Sequence, residues 1–164
     1  MSQALAVSHG AFGRAAIYNL DRPITTHAHR EGHLIFYISG AHAGVKVGQN
    51  LTLCDPKSAA AVSPWEPHSF KPMTGPCLCL VLYIKPLWFL ESSGSADFAL
   101  NFGCPQISLT PDLDLAIRRL TALMLSDSGT IDVESQLLSL TNSCYAASWA
   151  RRSSPASLGV SGYF

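Results

Sequence analysis

Short runs of apolar and β-branched residues, separated by turn residues, dominate the first half of the chain. Gly, Pro, Asn or Asp stands between these runs, where a missing N–H or a positive φ angle is tolerated. Eight short runs at close spacing predict strands of a β-barrel or sandwich. The runs cover residues 15–20, 24–29, 33–39, 44–47, 51–54, 59–62, 68–71 and 77–84.

The period of the apolar positions changes after Pro111. Apolar residues between positions 113 and 124 fall on one face of a helix, with Thr110 as its N-cap and Pro111 in its first turn. A second apolar stripe over residues 133–147 follows a short loop around Gly129, which predicts an antiparallel helix pair. Strands first and helices last predict a mainly β domain of the α+β class.

The length of 164 residues suits one domain with a single core. We assign residues 1–14 to an N-terminal arm and residues 15–110 to the β-barrel. Residues 111–150 form the helix pair within the same domain. Residues 151–164 are rich in Ser, Gly and Arg without periodicity, which predicts a flexible tail or linker.

Charge and hydropathy exclude two classes of partner. Eleven basic residues balance eleven acidic ones, so no net charge would draw the chain onto nucleic acid or anionic lipid. The longest clean apolar run, residues 77–84, is far shorter than the ~20 residues that cross a bilayer, so we expect no membrane span. The N-terminus lacks the pattern of a secretory signal, which predicts a cytoplasmic location.

The cysteines predict buried free thiols. Their number is odd, and no CxxC pair occurs, which disfavours both a disulfide framework and a thiolate zinc site. Cys77 and Cys79 alternate within one apolar run, so they should share one face of a strand as small apolar side chains. The other cysteines are Cys54, Cys104 and Cys144.

Four of the six histidines are spaced as a metal site requires. His27 and His29 alternate in one predicted strand, His33 follows four residues later, and His68 lies a hairpin or two further on. A β-barrel can bring such side chains to one interior point, and neutral imidazoles bind zinc, nickel, iron and copper. Two interpretations stay open: one divalent metal ion, or a polar lining that hydrogen-bonds a small molecule. We favour the polar lining.

Aromatic side chains near these histidines are candidates for a ligand pocket, since binding sites are mostly apolar with a few polar groups. We select Tyr37, Trp65 and Phe70 together with His68, and expect Trp65, beside His68, to be the strongest candidate. Trp88 should pack where the barrel meets the helices. Ordinary core packing is the simpler alternative for all of these aromatic residues.

The second predicted helix carries apolar residues on more than one side. Leu137 and Leu138, with Tyr145 and Trp149, cannot all face one neighbour. A partner subunit would cover the second face, so we expect a homodimer with an interface at Leu137, Leu138 and Tyr145.

The histidine pattern resembles the first motif of cupins. His27-Ala28-His29, His33 and the later Gly40 match its length, and His68, in residues 64–68, matches the histidine that ends the second cupin motif. His33 stands where cupins usually carry glutamate, and the glycine common before the second-motif histidine is absent. The resemblance implies a cupin-type (jelly-roll) β-barrel.

A closer resemblance is to the N-terminal cupin domains of AraC-type transcription regulators. The His-x-His run, the apolar strand ending at Gly40 and the Pro-x-x-Pro-His-Ser segment at residues 64–69 carry it, together with the helix pair. It implies a small-molecule effector, dimerisation through the helices, no catalysis, and DNA contact only through a C-terminal helix-turn-helix domain that this sequence lacks. The alternative is a metal-dependent cupin enzyme, such as a dioxygenase, isomerase or lyase. Only Glu31 and Glu66 lie near the motifs as acid or base groups, which disfavours an enzyme.

Overall fold

The structure, a computed structural model, describes residues 3–94, 100–126 and 130–152. Within these residues no helix is long and apolar enough to cross a membrane. Strands and helices follow in the order β1 (Gln3–Gly10), β2 (Gly13–Leu20), β3 (Ile24–His27), β4 (Gly32–Gly40), β5 (Ala43–Val47), β6 (Asn50–Cys54), β7 (Ser58–Val62), β8 (His68–Pro72), β9 (Cys77–Ile84), α1 (Pro86–Ser93), β10 (Gln106–Ser108), α2 (Pro111–Leu125) and α3 (Thr130–Arg152).

The strands form two antiparallel sheets. One sheet has the order β1-β2-β9-β4-β7-β10 and the other has the order β3-β8-β5-β6. Strands β2 to β9 thus give the two four-stranded orders β2-β9-β4-β7 and β3-β8-β5-β6, in which strands far apart in sequence lie side by side. This arrangement is the eight-stranded jelly roll, and it contains all eight strands that the apolar runs predict.

The predicted closure into a barrel is wrong. No ladder between the described strands joins the two sheets. Apolar side chains from both sheets instead share one core cluster, which includes Val45 and Phe70 of the four-stranded sheet and Ile35 and Val81 of the six-stranded sheet. Two sheets packed face to face form a sandwich. Alternating apolar residues occur in sandwiches and barrels alike, so the sequence pattern does not separate them.

Three elements escaped the sequence analysis. The predicted N-terminal arm contains β1, an edge strand that pairs with β2 and in which every residue is exposed or half-buried. Helix α1 follows the last jelly-roll strand, and β10 pairs with β7 at the sheet's other edge. All three are short or only partly apolar, so their sequences carry weak periodic signals.

The central strands of the six-stranded sheet are buried on both faces. On β9, Leu80 and Leu82 belong to the cluster that includes the helices, whereas Cys79 and Val81 face the interior of the sandwich. A strand covered on both faces is apolar along its whole length. This explains the uninterrupted apolar run over β9.

Both predicted C-terminal helices are present, and their antiparallel packing stays a prediction. The Thr110 hydroxyl caps α2 by accepting a hydrogen bond from the Leu113 N–H at 3.2 Å, with Pro111 at the first helical position. Helix α3 extends beyond residues 133–147 at both ends. The centre of the predicted loop, residues 127–129, and residues 153–164 of the predicted tail lie outside the described residues.

The apolar faces of α3 pack on the chain itself. Leu137 is fully buried in the core cluster, and Leu138 and Tyr145 are half-buried against the same cluster. The Tyr145 ring contacts those of Phe89 and Phe102. Leu137 therefore offers no surface to a partner subunit. Phe89 of α1 and Phe102 of the neighbouring loop cover part of Tyr145, which the sequence analysis assigned to a dimer interface. Homodimer formation stays a prediction.

We predict that Leu137→Ala lowers the free energy of unfolding by about 2–5 kcal/mol, since it leaves a cavity in the core. Urea denaturation measures this change. Leu115→Ala, at a position 46% exposed on α2, is the matched control and should change it by less than about 0.5 kcal/mol. A Leu137→Ala deficit that disappears as protein concentration rises would instead assign the side chain to a subunit interface.

Candidate metal centre

The jelly roll brings the four histidines of the sequence motif together. His27 ends β3, and His68, which begins β8, lies directly opposite it in the ladder. His29 follows β3 in the connection to β4. His33 lies on β4 in the other sheet, where it pairs with Tyr83 of β9. The four-stranded sheet thus contributes two imidazoles, and the six-stranded sheet and the β3–β4 connection contribute one each.

The four imidazole rings form one contiguous group, in which each ring contacts at least two others. The ring centroids of His27 and His68 are 4.3 Å apart, and those of His29 and His68 are 4.8 Å apart. The His33 ring is 5.1 Å from the rings of both His29 and His68. This confirms the convergence that the spacing predicts.

Backbone carbonyls determine which nitrogen of each imidazole carries the proton. Nδ1 of every one of the four rings lies within hydrogen-bond distance of a carbonyl oxygen. A carbonyl only accepts, so each neutral ring must be protonated at Nδ1, and its lone pair must lie on Nε2. The bonds run to Thr25 from His27 (2.8 Å), to Glu31 from His29 (3.0 Å), to Leu82 from His33 (3.2 Å) and to Glu66 from His68 (2.9 Å).

Two of these Nε2 atoms are buried without a partner. Nε2 of His29 and Nε2 of His68 have no hydrogen-bond partner among the described residues. Such an orphaned acceptor costs free energy unless something binds it. One ligand atom from each of His27, His29 and His68 lies within 4.8 Å of the others.

These residues fit a metal ion. A divalent ion about 2.0–2.1 Å from imidazole nitrogens would bind the orphaned Nε2 atoms. Nδ1–H bonded to a carbonyl is the arrangement that ordinarily orients a metal-binding histidine. The His27, His29 and His68 cluster is therefore consistent with one metal ion, and His33 adjoins it.

Burial keeps the inner imidazoles in the neutral form that binds metals. Burial lowers the pKa of His33 well below its ordinary value, and the neighbouring His68 and His29 lower it further. Burial likewise lowers the pKa of His68 to about 4 and lowers the pKa of His29. At neutral pH these three rings are uncharged, so their lone pairs are available.

A cavity of about 260 Å³ opens beside the imidazoles, inside the sandwich. Its walls are mainly apolar, and His27, His33, His68, Tyr18 and Tyr83 supply its polar groups. The remaining lining residues are Leu20, Ile24, Ile35, Phe70 and Val81. Of the predicted ligand-binding residues, the cavity therefore includes His68 and Phe70.

Tyr37 and Trp65 do not line this cavity, contrary to the prediction. The Tyr37 hydroxyl donates to the Gly40 carbonyl at 2.7 Å, and the residue borders a separate hollow against α2. The Trp65 side chain is 64% exposed in a turn, where its backbone has a positive φ of 65°. The Trp65 N–H donates to the His29 carbonyl at 2.7 Å, so this residue supports the site through its backbone. Trp88 does pack on the core, edge-on to Phe12.

Sequence reasoning missed Arg14, Tyr83 and Lys85 on the outer side of the centre. A more open hollow of about 560 Å³ is bordered by Arg14, His29, Glu31, Tyr83 and Lys85, together with His9, Gly10 and Gly13. The Arg14 guanidinium lies 4.2 Å from the centroid of the Tyr83 ring. Burial raises the pKa of Tyr83, so its hydroxyl stays protonated at neutral pH. Arg14 lies on β2 and Tyr83 on β9, and no pattern in the sequence indicates that these two strands are neighbours.

No protein-family model matches the chain, and no curated protein matches it. Solved structures that resemble it include a cupin superfamily protein from Desulfitobacterium hafniense, with a TM-score of 0.46 at 10% identity, covering 51% of this chain and 77% of that one. KdgF from Halomonas sp. has a TM-score of 0.46 at 20% identity, with 51% and 80% covered. The Cnp3 cupin domain of Schizosaccharomyces pombe has a TM-score of 0.45 at 12% identity, with 59% and 72% covered. Similarities of this size give no function, and the chain's own strand order defines its jelly roll.

We predict that the metal-free protein loses stability as pH falls from about 6.5 towards 4. Unfolded imidazoles titrate near 6.5, whereas His68 in the folded protein titrates at about 4. Between these values the unfolded state binds more protons, so the free energy of unfolding decreases as pH decreases.

Urea denaturation at several pH values, after chelator treatment, measures this slope. His68→Asn should reduce it, and His9→Asn, which removes an exposed histidine outside the cluster, should leave it unchanged. A wild-type stability that is constant from pH 6.5 to 4 would contradict neutral burial of these rings.

Proposed function

We propose that this protein is a small-molecule sensor resembling the N-terminal domains of AraC-type transcription regulators, with one metal ion as part of its ligand site. The observation that carries the proposal is the cluster of His27, His29 and His68, with two orphaned Nε2 atoms, beside a mainly apolar cavity. A sensor requires a ligand site and a physical link from that site to the surface that responds, and the histidine cluster, the cavity and the two sheets support this proposal.

His27, His29 and His68 would hold one divalent ion, either zinc, nickel, iron or copper, with His33 as an adjacent fourth imidazole. All-nitrogen donors suit these ions better than magnesium or calcium, which prefer oxygen. When bound, the ion supplies a Lewis-acidic position for an oxygen atom of a ligand. The backbone carbonyls orient the imidazoles, and mainly apolar residues line the cavity beside them.

The chemistry of the two hollows indicates the ligand class. The cavity walls suit a small apolar body, because residues such as Ile35, Phe70 and Val81 offer no hydrogen bonds. Arg14 and Lys85 on the outer side supply positive charge, with Glu31 as the opposing group. We propose a small carboxylate with an apolar body, whose charged end approaches the histidines and Arg14.

The sheet connects the cavity to the helices. Ile35 and Val81 line the cavity from β4 and β9, and their sequence neighbours Leu34 and Leu82 belong to the cluster that packs against the helices. A ligand that shifts these strands must change the packing of α2 and α3, because packed cores deform little without repacking. This physical link favours a sensor, and a role in transcription and a homodimer remain part of the proposal.

A metal-dependent enzyme is the second candidate. The specific observation in its favour is the protonated Tyr83 hydroxyl beside His33, whose rings are 4.5 Å apart, with Glu31 near His29. These groups could donate or accept a proton at a bound ligand. Turnover distinguishes the two candidates: a sensor returns its ligand unchanged, whereas an enzyme converts it.

We predict near-equimolar zinc, nickel, iron or copper in protein purified without a His tag or chelator, as measured by elemental analysis. The double variant His27→Ala, His68→Ala should lose this metal, because it removes two of three ligands. His9→Ala is the matched control and should keep it. Metal-free protein that stays metal-free after titration would contradict the metal site.

The same preparations test ligand binding. Benzoate and hexanoate should raise the melting temperature of the metal-loaded protein but not of the double variant, since a ligand of the folded state stabilises it by about 2.7 kcal/mol at 100 times its Kd. The uncharged amides of both acids are the controls. Unchanged acid after overnight incubation, measured by NMR, supports the sensor, and a new product supports the enzyme. No thermal shift with any carboxylate would reject the proposed ligand class.

A further inference from the structure

Three cysteines meet inside the sandwich, away from the histidines. Cys54 ends β6, and Cys77 and Cys79 lie on β9. The three sulfur atoms all lie within 4.8 Å of one another, and those of Cys77 and Cys79 are 3.3 Å apart. Each of the three residues is fully buried. The predicted shared face of Cys77 and Cys79 is confirmed, whereas the addition of Cys54 comes from the fold.

This cluster is separate from the histidine centre. Tyr83, which contacts His29 and His33, lies four residues beyond Cys79 on β9, about 14 Å away at ~3.4 Å per residue. Val81, between them, lines the cavity on the histidine side. The sandwich interior therefore contains a nitrogen cluster towards one end of β9 and a sulfur cluster at its start.

The sulfur atoms interact as a connected group. Hydrogen bonds from the Cys54 and Cys79 thiols lower the pKa of Cys77, and the nearby His42 lowers it further. The same bonds to Cys77 raise the pKa of Cys54. The three thiols therefore form one hydrogen-bonded group, and each must become a thiolate to bind a metal ion.

We propose that Cys54, Cys77 and Cys79 form a second metal site, which binds one cuprous ion through three sulfur atoms. Thiolates select soft ions, above all Cu(I), zinc and iron–sulfur clusters. A thiolate–metal distance of about 2.3 Å, as in zinc sites, places three trigonal sulfurs about 4 Å apart, within the spread that the three sulfurs show.

Cu(I) fits better than zinc because the site offers three donors. Structural zinc is almost always four-coordinate, and no fourth histidine, cysteine or carboxylate among the described residues joins the group at this distance. Cu(I) is stable with three sulfurs and needs no water. Each thiol that binds releases its proton to solvent, and the oxidation state of the ion does not change.

The positions of the three cysteines fit a disulfide bond less well than a metal site. Cys77 and Cys79 are two positions apart on one strand, which places their Cα atoms about 6.8 Å apart, at the upper limit for a bridge. A bond between Cys54 and either of them would leave the third sulfur without a role. A metal ion at the centre of the group would bind all three sulfurs.

The test is an anaerobic titration of the full chain with Cu(I). A chromophoric Cu(I) chelator competes for the ion, and a thiol-free reductant keeps it reduced. The ion is added slowly because the site is buried. We expect one tightly bound Cu(I) per chain. X-ray absorption of this complex should show three sulfur neighbours at about 2.3 Å. Nitrogen neighbours would place the ion at the histidines and overturn the proposal, as would fewer than three sulfurs.

Cysteine variants give the second measurement. Loss of a residue that only orients a metal ligand weakens metal binding about 10–100-fold, so loss of a ligand itself, as in Cys54→Ala or Cys79→Ala, should weaken Cu(I) binding on the order of a hundredfold or more. Cys144→Ala removes a buried thiol of α3 outside the cluster and should not change the affinity. Equal affinity in the cluster variants, or a Cys54 disulfide in anaerobically purified protein by mass spectrometry, would overturn the proposal. If a cluster variant fails to fold, the number of sulfur neighbours that X-ray absorption finds in the wild-type complex tests the proposal instead.

Discussion

The hydrogen bond from each imidazole Nδ1–H to a backbone carbonyl is the interaction on which the candidate site depends. It places the lone pair of each neutral ring on Nε2, and the ligand atoms of His27, His29 and His68 lie within 4.8 Å of one another. Three of the four carbonyls belong to residues two positions away along the chain, at Thr25, Glu31 and Glu66. The local conformation of β3 and of the turn before β8 therefore orients the site. The buried Nε2 atoms of His29 and His68 have no hydrogen-bond partner among the described residues, which lowers the stability of the fold unless an ion binds them.

The jelly roll contributes the second constraint, because it makes β4 and β9 interior strands. Each of these strands presents alternate residues to the cavity and to the helical layer. The same two strands therefore contact both the cavity beside the histidines and the helices α2 and α3. This double burial also explains why the sandwich interior can hold two separated clusters of metal-binding atoms, one of nitrogen and one of sulfur.

Much of the fold follows from the sequence because alternation and helical periodicity are local signals. All eight jelly-roll strands and both C-terminal helices were predicted from them. The four histidines were found because spacing and resemblance agree. Pairings between distant strands leave no such signal, so Tyr83 and Arg14 beside the centre were missed, as was Cys54 beside Cys77 and Cys79. Leu137 is buried within the chain itself, and the predicted homodimer stays a prediction, because an apolar stripe shows that a face is covered but not by what.

The most direct test of this account is the protonation state of the imidazole nitrogens in the metal-free protein. Long-range ¹H–¹⁵N NMR correlations at neutral pH distinguish a protonated from an unprotonated ring nitrogen for each histidine. We predict that the rings of His29, His33 and His68 are neutral and carry their proton on Nδ1, with Nε2 unprotonated. Rings that carry the proton on Nε2, or on both nitrogens, would contradict the account, because no lone pairs would then converge where the metal ion is proposed to bind.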